Sequence, residues 1–159
     1  MLSIVRAVAK ETGLRVRIIR RDVVPPCGPL GGILTGLRNA RAEAVLFLAC
    51  DMPLITVELL RKIIRARRED SRAVFSSQSG LVGFPMLLPV KAVDAVQSQI
   101  SAGYFSVQQL AAVLRARKLG VSVRTSRLFN VNTPEDIRTA ARLLAPAAGT
   151  TAVAAKLQP

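Results

Sequence analysis

Histidine and tryptophan are absent from this sequence, and cysteine occurs only at Cys27 and Cys50. Without an imidazole group, a Ser-His-Asp triad and a histidine-containing zinc site are excluded. The remaining carboxylates, amides, hydroxyls, basic groups and backbone N–H groups suit phosphate chemistry with a hard cation such as Mg²⁺. So few cysteines, without a recognisable secretory signal, favour two free and buried thiols in a reducing compartment.

Aromatic and acidic residues are scarce, whereas aliphatic and basic residues are abundant. Aromatics make up 4% of the 159 residues and hydrophobic residues 50%, which is enough to fill the core of one domain. With 23 Lys and Arg against 10 Asp and Glu, the formal net charge is +13. Such an excess suits a nucleic-acid-binding protein as well as an enzyme for phosphorylated substrates. Because the basic residues cluster weakly and few aromatics could stack bases, a solvated basic face is favoured over nucleic-acid binding.

Long apolar runs and the common glycine-rich fingerprints are also missing. The longest apolar stretch, residues 44–50, is far shorter than the roughly 18 residues of a membrane-spanning helix. Neither Gly-x-Gly-x-x-Gly nor the Walker pattern occurs. Because no apolar stretch is long enough to span a membrane, we expect a cytoplasmic protein without membrane contact.

Helical and extended patterns alternate along the chain. After a first helix between Ser3 and Gly13, strands are predicted over residues 14–19, 44–50, 72–76, 84–88 and 121–125. Further helices are predicted over residues 31–41, 56–68, 90–101, 107–118 and 134–144. The alternation predicts a three-layer α/β/α, Rossmann-like domain over residues 1–145, its sheet mostly parallel with an antiparallel edge or hairpin. Residues 146–159 are expected to form a flexible tail.

Two carboxylates follow predicted strands. Asp51 comes directly after the apolar run at residues 44–50, at the carboxyl edge where sheets of this kind bind ligands. A carboxylate there suits Mg²⁺ bridged to a phosphate, although an Asp that only closes the turn is an equal alternative. Asp22 ends the first predicted strand, so both carboxylates would face one crevice if the two strands are parallel neighbours.

A small-residue loop and two amides complete the candidate site. The loop opens a predicted helix, where backbone N–H groups can receive a phosphate, although a plain tight turn is an alternative. Its residues are Gly28, Pro29, Leu30, Gly31 and Gly32. In the extended segment before the last helix, alternation would turn Asn130 and Asn132 to the same side. Turn and cap hydrogen bonds are the alternative role for these amides.

These residues form three ordered motifs that resemble the molybdenum cofactor guanylyltransferases, within the broader Rossmann-like nucleotidyltransferases. The motifs are Asp22 with the glycine-rich run of residues 28–32 and Gly36-Leu37, then Cys50-Asp51-Met52-Pro53, then Asn-Val-Asn-Thr-Pro-Glu-Asp at residues 130–136. The resemblance covers about residues 14–144. It implies transfer of GMP from GTP to the molybdopterin cofactor, which forms molybdopterin guanine dinucleotide and releases pyrophosphate.

The resemblance also assigns roles to individual residues. Asp51 would be the catalytic carboxylate that binds Mg²⁺ and the nucleotide phosphates. Asp22 and the loop formed by Gly28, Pro29, Leu30, Gly31 and Gly32 would contact the nucleotide. Asn130 and Asn132 would lie on the pterin side. A related cytidylyl transfer is the rival within this class, and a basic nucleic-acid-binding or degenerate non-catalytic protein is the rival outside it.

One departure from the family concerns its first elements. Members begin with a strand, a glycine-rich loop carrying Arg and Lys, and a helix, and this opening is missing here. A start codon assigned too late is the favoured account, ahead of a fragment completed by another chain and a degenerate member. Since the missing strand would leave the edge of residues 44–50 uncovered, we expect self-association of this chain, and its activity alone stays open.

Overall fold

Helices and strands alternate through residues 19–123 and 127–144, the part of the chain that the computed structural model describes. The helices are α1 (Pro29–Arg38), α2 (Val57–Asp70), α3 (Val93–Ser101), α4 (Val107–Val113) and α5 (Pro134–Leu144). The strands are β1 (Ala44–Phe47), β2 (Val74–Gln78), β3 (Leu81–Pro89) and β4 (Arg117–Gly120), and a 3₁₀ turn at Val90–Ala92 leads into α3. The first predicted helix, the predicted strand at residues 14–19 except for its last residue, and the tail at residues 146–159 lie outside the described residues.

The strands of the described residues form one mixed sheet in the order β1-β3-β2-β4. Strand β3 is antiparallel to both β1 and β2, whereas β2 and β4 pair in parallel. Strands β1, β2 and β4 therefore run in the same direction. The expected antiparallel hairpin is confirmed as β2 and β3, joined through Ser79 and Gly80, which both have positive φ angles as a tight hairpin turn requires. Its second strand lies inside the sheet and not at an edge.

Helices cover both faces of the sheet, as the three-layer prediction requires. On one face, α1, α3 and α4 contribute Leu34, Val96 and Leu110 to a core that also holds Phe75 and Met86 of the sheet. On the other face, α2 packs Leu59, Ile63 and Ala66 against Val74 and Leu87. Successive strand residues enter opposite cores because side chains alternate along a strand. Within residues 19–123 and 127–144, no helix has the length and apolar character needed to cross a bilayer.

Helix α1 lies very close to β1 at Gly36. A Cβ atom on Gly36 would lie 2.6 Å from Cε1 of Phe47, a distance that real Cβ contacts do not show. Glycine is therefore required here by packing, since the backbone of α1 and the ring of Phe47 occupy adjacent space. This contact fixes α1 over the end of β1.

The boundary between α4 and β4 differs from the sequence prediction. Helix α4 ends at Val113, and β4 occupies Arg117–Gly120, where the apolar spacing predicts a helix as far as residue 118 and a strand from residue 121. Arg115 takes a left-handed conformation with φ 45°, and the N–H of Ala116 returns to the carbonyl oxygen of Ala111 at 2.9 Å. This is a Schellman-type helix end, for which glycine is the usual signal. Parallel pairing with β2 then overrides the local helical spacing.

Candidate functional site

An open cavity of about 820 Å³ lies where β1 and β3 stop pairing. The last pair is Phe47 with Met86, and beyond it the segment after β1 and the first half of β3 both line the cavity. The cavity is lined by Pro29, Leu48, Ala49, Cys50, Asp51, Met52, Ser76, Gln78, Leu81, Val82, Gly83, Phe84, Val107, Leu128 and Asn130. It thus lies at the carboxyl end of β1, the edge at which open α/β sheets bind ligands.

Asp51 is half-buried in this lining, and its backbone and its carboxylate differ in their hydrogen bonds. Its backbone carbonyl oxygen accepts a hydrogen bond from the N–H of Val131 at 2.7 Å. Its carboxylate atom Oδ1 is buried and has no hydrogen-bond partner among the described residues. A buried acceptor without a partner requires an explanation, and an ion that binds there is one of the ordinary explanations. The structure therefore joins the second and third sequence motifs through the backbone and leaves the Asp51 carboxylate available.

The two asparagines of the third motif have different positions. Asn130 lines the cavity, whereas Asn132 does not. The backbone N–H of Asn132 donates to Oδ2 of Asp136 at 3.1 Å, and the N–H and hydroxyl of Thr133 donate to the same oxygen, each at 2.9 Å. These bonds lower the pKa of the Asp136 carboxyl below its usual value, and the bond from Asn132 has the largest effect. The segment around Asn132 is thus part of the capped start of α5.

Asp22 lies against the first turn of α1 and is not among the residues that line the cavity. A Cβ atom on Gly31 would lie 3.1 Å from Oδ2 of Asp22. The next residue is fixed to the same helix, because the N–H of Val23 donates to Oγ1 of Thr35 at 3.0 Å and this hydroxyl donates to the carbonyl oxygen of Gly31 at 2.8 Å. Of the two predicted carboxylates, Asp51 alone lines the cavity.

The residues of the small-residue loop divide between the core and the surface. Gly28 precedes α1 with φ +64°, and Pro29, the first residue of α1, lines the cavity. The side chain of Leu30 is completely buried in the core, so this residue can offer a ligand only its backbone. A Cβ on Gly32 would meet no atom within 4 Å, whereas Gly31 is enclosed by Asp22 and Cys27. The loop therefore places an open helix N-terminus beside the cavity.

Both cysteines are free, but only Cys27 is buried, so the expectation of two buried thiols is wrong for Cys50. The reason is the length of β1, which ends at Phe47 instead of residue 50. Cys50 therefore belongs to the segment that lines the cavity, where its side chain is exposed.

The three sequence motifs do not include the β2 and β3 side of the cavity. Ser76 lines it, and its hydroxyl donates to the carbonyl oxygens of Phe84 at 2.7 Å and Gly83 at 3.2 Å. The polar run Ser-Ser-Gln at residues 76–78, directly after buried strand residues, is the one signal that could have indicated this side. Gly83 and Phe84 carry no such signal.

The layered α/β fold has a helix N-terminus and a carboxylate beside the end of β1, and it is similar to the Rossmann-like folds of nucleotidyltransferases. The solved structures that share it include the following two. Molybdopterin-guanine dinucleotide biosynthesis protein A from Archaeoglobus fulgidus matches with a TM-score of 0.63 and 19% identity, over 87% of this chain and 73% of that one. The 4-diphosphocytidyl-2C-methyl-D-erythritolsynthase of Anaerococcus prevotii matches with a TM-score of 0.69 and 16% identity, over 89% of this chain and 76% of that one.

The chain belongs to the family of MobA-like NTP transferase domains, whose family model matches residues 4–121. The molybdenum cofactor guanylyltransferase of Pseudomonas entomophila is 36% identical over 111 residues, which are 68% of this chain and 58% of that protein. The resemblance drawn from the three motifs is thereby confirmed. The chain spans 58% to 62% of the length of the first curated relatives that it matches.

Proposed function

We propose that this protein is a cytoplasmic, Mg²⁺-dependent guanylyltransferase that transfers GMP from GTP to the molybdopterin cofactor. The observation that carries the proposal is the 2.7 Å hydrogen bond from Val131 to the carbonyl oxygen of Asp51. It holds the Asp51 and Asn130 motifs at one cavity, beside the N-terminus of α1. The names of the curated relatives support guanylyl transfer over cytidylyl transfer.

The residues at the cavity fit a magnesium ion. Asp51 Oδ1 is a buried acceptor to which no described residue donates a hydrogen bond, which is the type of oxygen that a hard cation binds. Within the described ranges, no group of three or more Asp, Glu, Cys and His side chains could enclose a metal by itself. Phosphate oxygens and water would therefore complete the ligand set around Asp51, as is usual for Mg²⁺. Bound there, the ion would supply positive charge to the phosphates of GTP.

In the proposed reaction, the terminal phosphate of molybdopterin attacks the α-phosphorus of GTP in line. A new phosphorus–oxygen bond forms while the bond from the α-phosphorus to the bridging oxygen breaks, and pyrophosphate leaves. In the first turn of α1, Pro29 has no N–H and the N–H of Gly31 donates to the carbonyl oxygen of Gly28, so the N–H of Leu30 would bind a phosphate oxygen. Gly28 and the open position at Gly32 allow the phosphate to approach. Asn130 would hold the acceptor, and no covalent enzyme intermediate is needed.

Calorimetry with GTP tests the proposal. We expect Mg²⁺-dependent binding that is lost in Asp51→Ala and retained in the control Asp94→Asn, which changes an exposed carboxylate of α3 outside the cavity. CTP in place of GTP distinguishes cytidylyl transfer. Binding of RNA or DNA that falls steeply with salt and ignores Asp51 would favour the nucleic-acid alternative. If no nucleotide binds with Mg²⁺ present, the proposed function is wrong.

A further inference from the structure

Gln108 of α4 binds both backbone polar groups of one residue in β3. Its Oε1 accepts a hydrogen bond from the N–H of Val82 at 3.0 Å, and its Nε2 donates to the carbonyl oxygen of Val82 at 2.5 Å. A primary amide can do this because it offers a donor and an acceptor, as a peptide group does. Strand β1 pairs with β3 only up to Met86, so Gln108 supplies hydrogen bonds to β3 where β1 no longer does.

The same part of β3 is held from its other neighbour. The pairing of β2 with β3 shifts register between Phe75 and Ser76, and the Ser76 hydroxyl donates to the carbonyl oxygens of Gly83 and Phe84. Residues 82–84 are thus fixed by side chains from two different elements. All three line the cavity, whereas Gln108 does not.

These residues present an open backbone and one aromatic side chain to the cavity. Gly83 has no side chain, and a Cβ there would meet no atom within 4 Å, so its backbone is open to a ligand. Phe84 follows with a half-buried side chain that lines the cavity, whereas the side chain of Val82 is buried in the core, so Val82 contributes only its backbone. A planar ring can stack on a peptide plane and an aromatic face of this kind. Residues 82–84 are hereafter called the β3 platform.

We propose that the β3 platform binds the flat heteroaromatic ring of one substrate, and that Gln108 is the positioning residue that fixes the platform through Val82. The proposal rests on the proposed function, which supplies two candidate rings, guanine and the pterin. Gln108 does not touch the ring. Its loss would release the backbone of Val82 from α4 and let Gly83 and Phe84 shift within the cavity, while the Val82 side chain stays in the core.

Kinetics of the full chain with GTP and molybdopterin test the proposal and identify the ring. In Gln108→Ala, we expect the KM of one substrate to rise about tenfold while the KM of the other and kcat change little. Gly83→Val should raise the same KM without lowering the melting temperature, because the φ of Gly83 is ordinary and valine suits a strand. An equal change in both KM values, a change in kcat alone, or no change would overturn the proposal.

Two controls separate positioning from general loosening of α4. Ser106→Ala removes the hydroxyl that accepts from the N–H of Gln109 at 3.3 Å and so weakens the start of α4 without touching β3. Gln109→Ala removes an exposed glutamine next to Gln108. Ser106→Ala is expected to lower the melting temperature with KM unchanged, and Gln109→Ala to change neither. A KM increase in Ser106→Ala equal to that in Gln108→Ala would contradict a specific role for Gln108.

Calorimetry without turnover tests the β3 platform separately from the proposed function. It measures the binding of guanosine and of 6-hydroxymethylpterin. If the protein shows no guanylyl transfer but binds one of these probes in a Gln108-dependent manner, the platform stands and the proposed function fails. If guanylyl transfer occurs and neither probe responds to Gln108→Ala or Gly83→Val, the platform is wrong and the function stands.

Discussion

Val131 donates its backbone N–H to the carbonyl oxygen of Asp51 over 2.7 Å, although the two residues belong to motifs far apart in the sequence. The bond uses the backbone of Asp51 and leaves its carboxylate free. Asp51 is thereby oriented by a partner that does not compete for Oδ1, the buried oxygen that has no hydrogen-bond partner within residues 19–123 and 127–144. The backbone carbonyl oxygen of Asp51 therefore fixes the residue, and its carboxylate is the group that would bind a ligand.

Replacing Asp51 by Asn is expected to leave thermal stability equal or higher. Oδ1 of Asp51 is buried with no hydrogen-bond partner in the part of the chain that the structure describes, and burying such a charged oxygen costs more than burying a neutral amide of the same shape. Thermal melts without nucleotide measure this effect. A loss of several degrees would mean that the carboxylate makes a stabilising contact in the protein.

Replacing Gly36 by Ala is expected to destabilise the protein by about 1–3 kcal/mol, the usual cost of overpacking. The added methyl would meet the Phe47 ring, and neither the helix nor the strand can move freely. Urea unfolding measures the change in the free energy of unfolding. Gly32→Ala is the matched control, because its methyl would point into open space and should stabilise α1 by roughly 0.5–1 kcal/mol. Combining Gly36→Ala with Phe47→Leu should recover part of the loss.

Acid should weaken the start of α5 through Asp136. Hydrogen bonds from Asn132 and Thr133 lower the pKa of Asp136 from its ordinary value of 3.8. A lowered folded-state pKa contributes stability that is complete above the unfolded-state pKa and is lost as the pH falls through the folded-state pKa. Stability measured from pH 5 downward should therefore fall less steeply in Asp136→Asn than in the wild type. Parallel curves for the two proteins would contradict this assignment.

The edge of β1 predicts self-association. Within the described part of the chain, β1 pairs with β3 alone, so its other edge is open to a strand from a second copy. Sedimentation velocity should show a mass that rises with protein concentration, and hydrogen exchange of the β1 amides should slow in parallel. A single monomeric species at every concentration would refute this prediction.

The sequence predicts local features of the site well. The start of α5 follows from residues 133–136, since a capping box uses contacts within one turn. The end of α4 does not, because Arg115 takes a left-handed conformation that usually calls for glycine. The bond between Gln108 and Val82 cannot be predicted from the sequence either, since a glutamine on an exposed helix surface looks like an ordinary polar residue. Nor does local sequence reveal that Asp22 packs on Gly31, because that contact depends on how α1 is packed.

The place of β3 between β1 and β2 has a consequence for the order of folding. In the chain, β3 comes after both of its neighbours, so β1 has no partner from this sheet until β3 has been synthesised. The hairpin of β2 and β3 closes over two residues and can form first, whereas β1 must then join across α2. We therefore expect Gly80, with φ +84°, to govern the rate of folding: Gly80→Val should slow refolding more than it speeds unfolding.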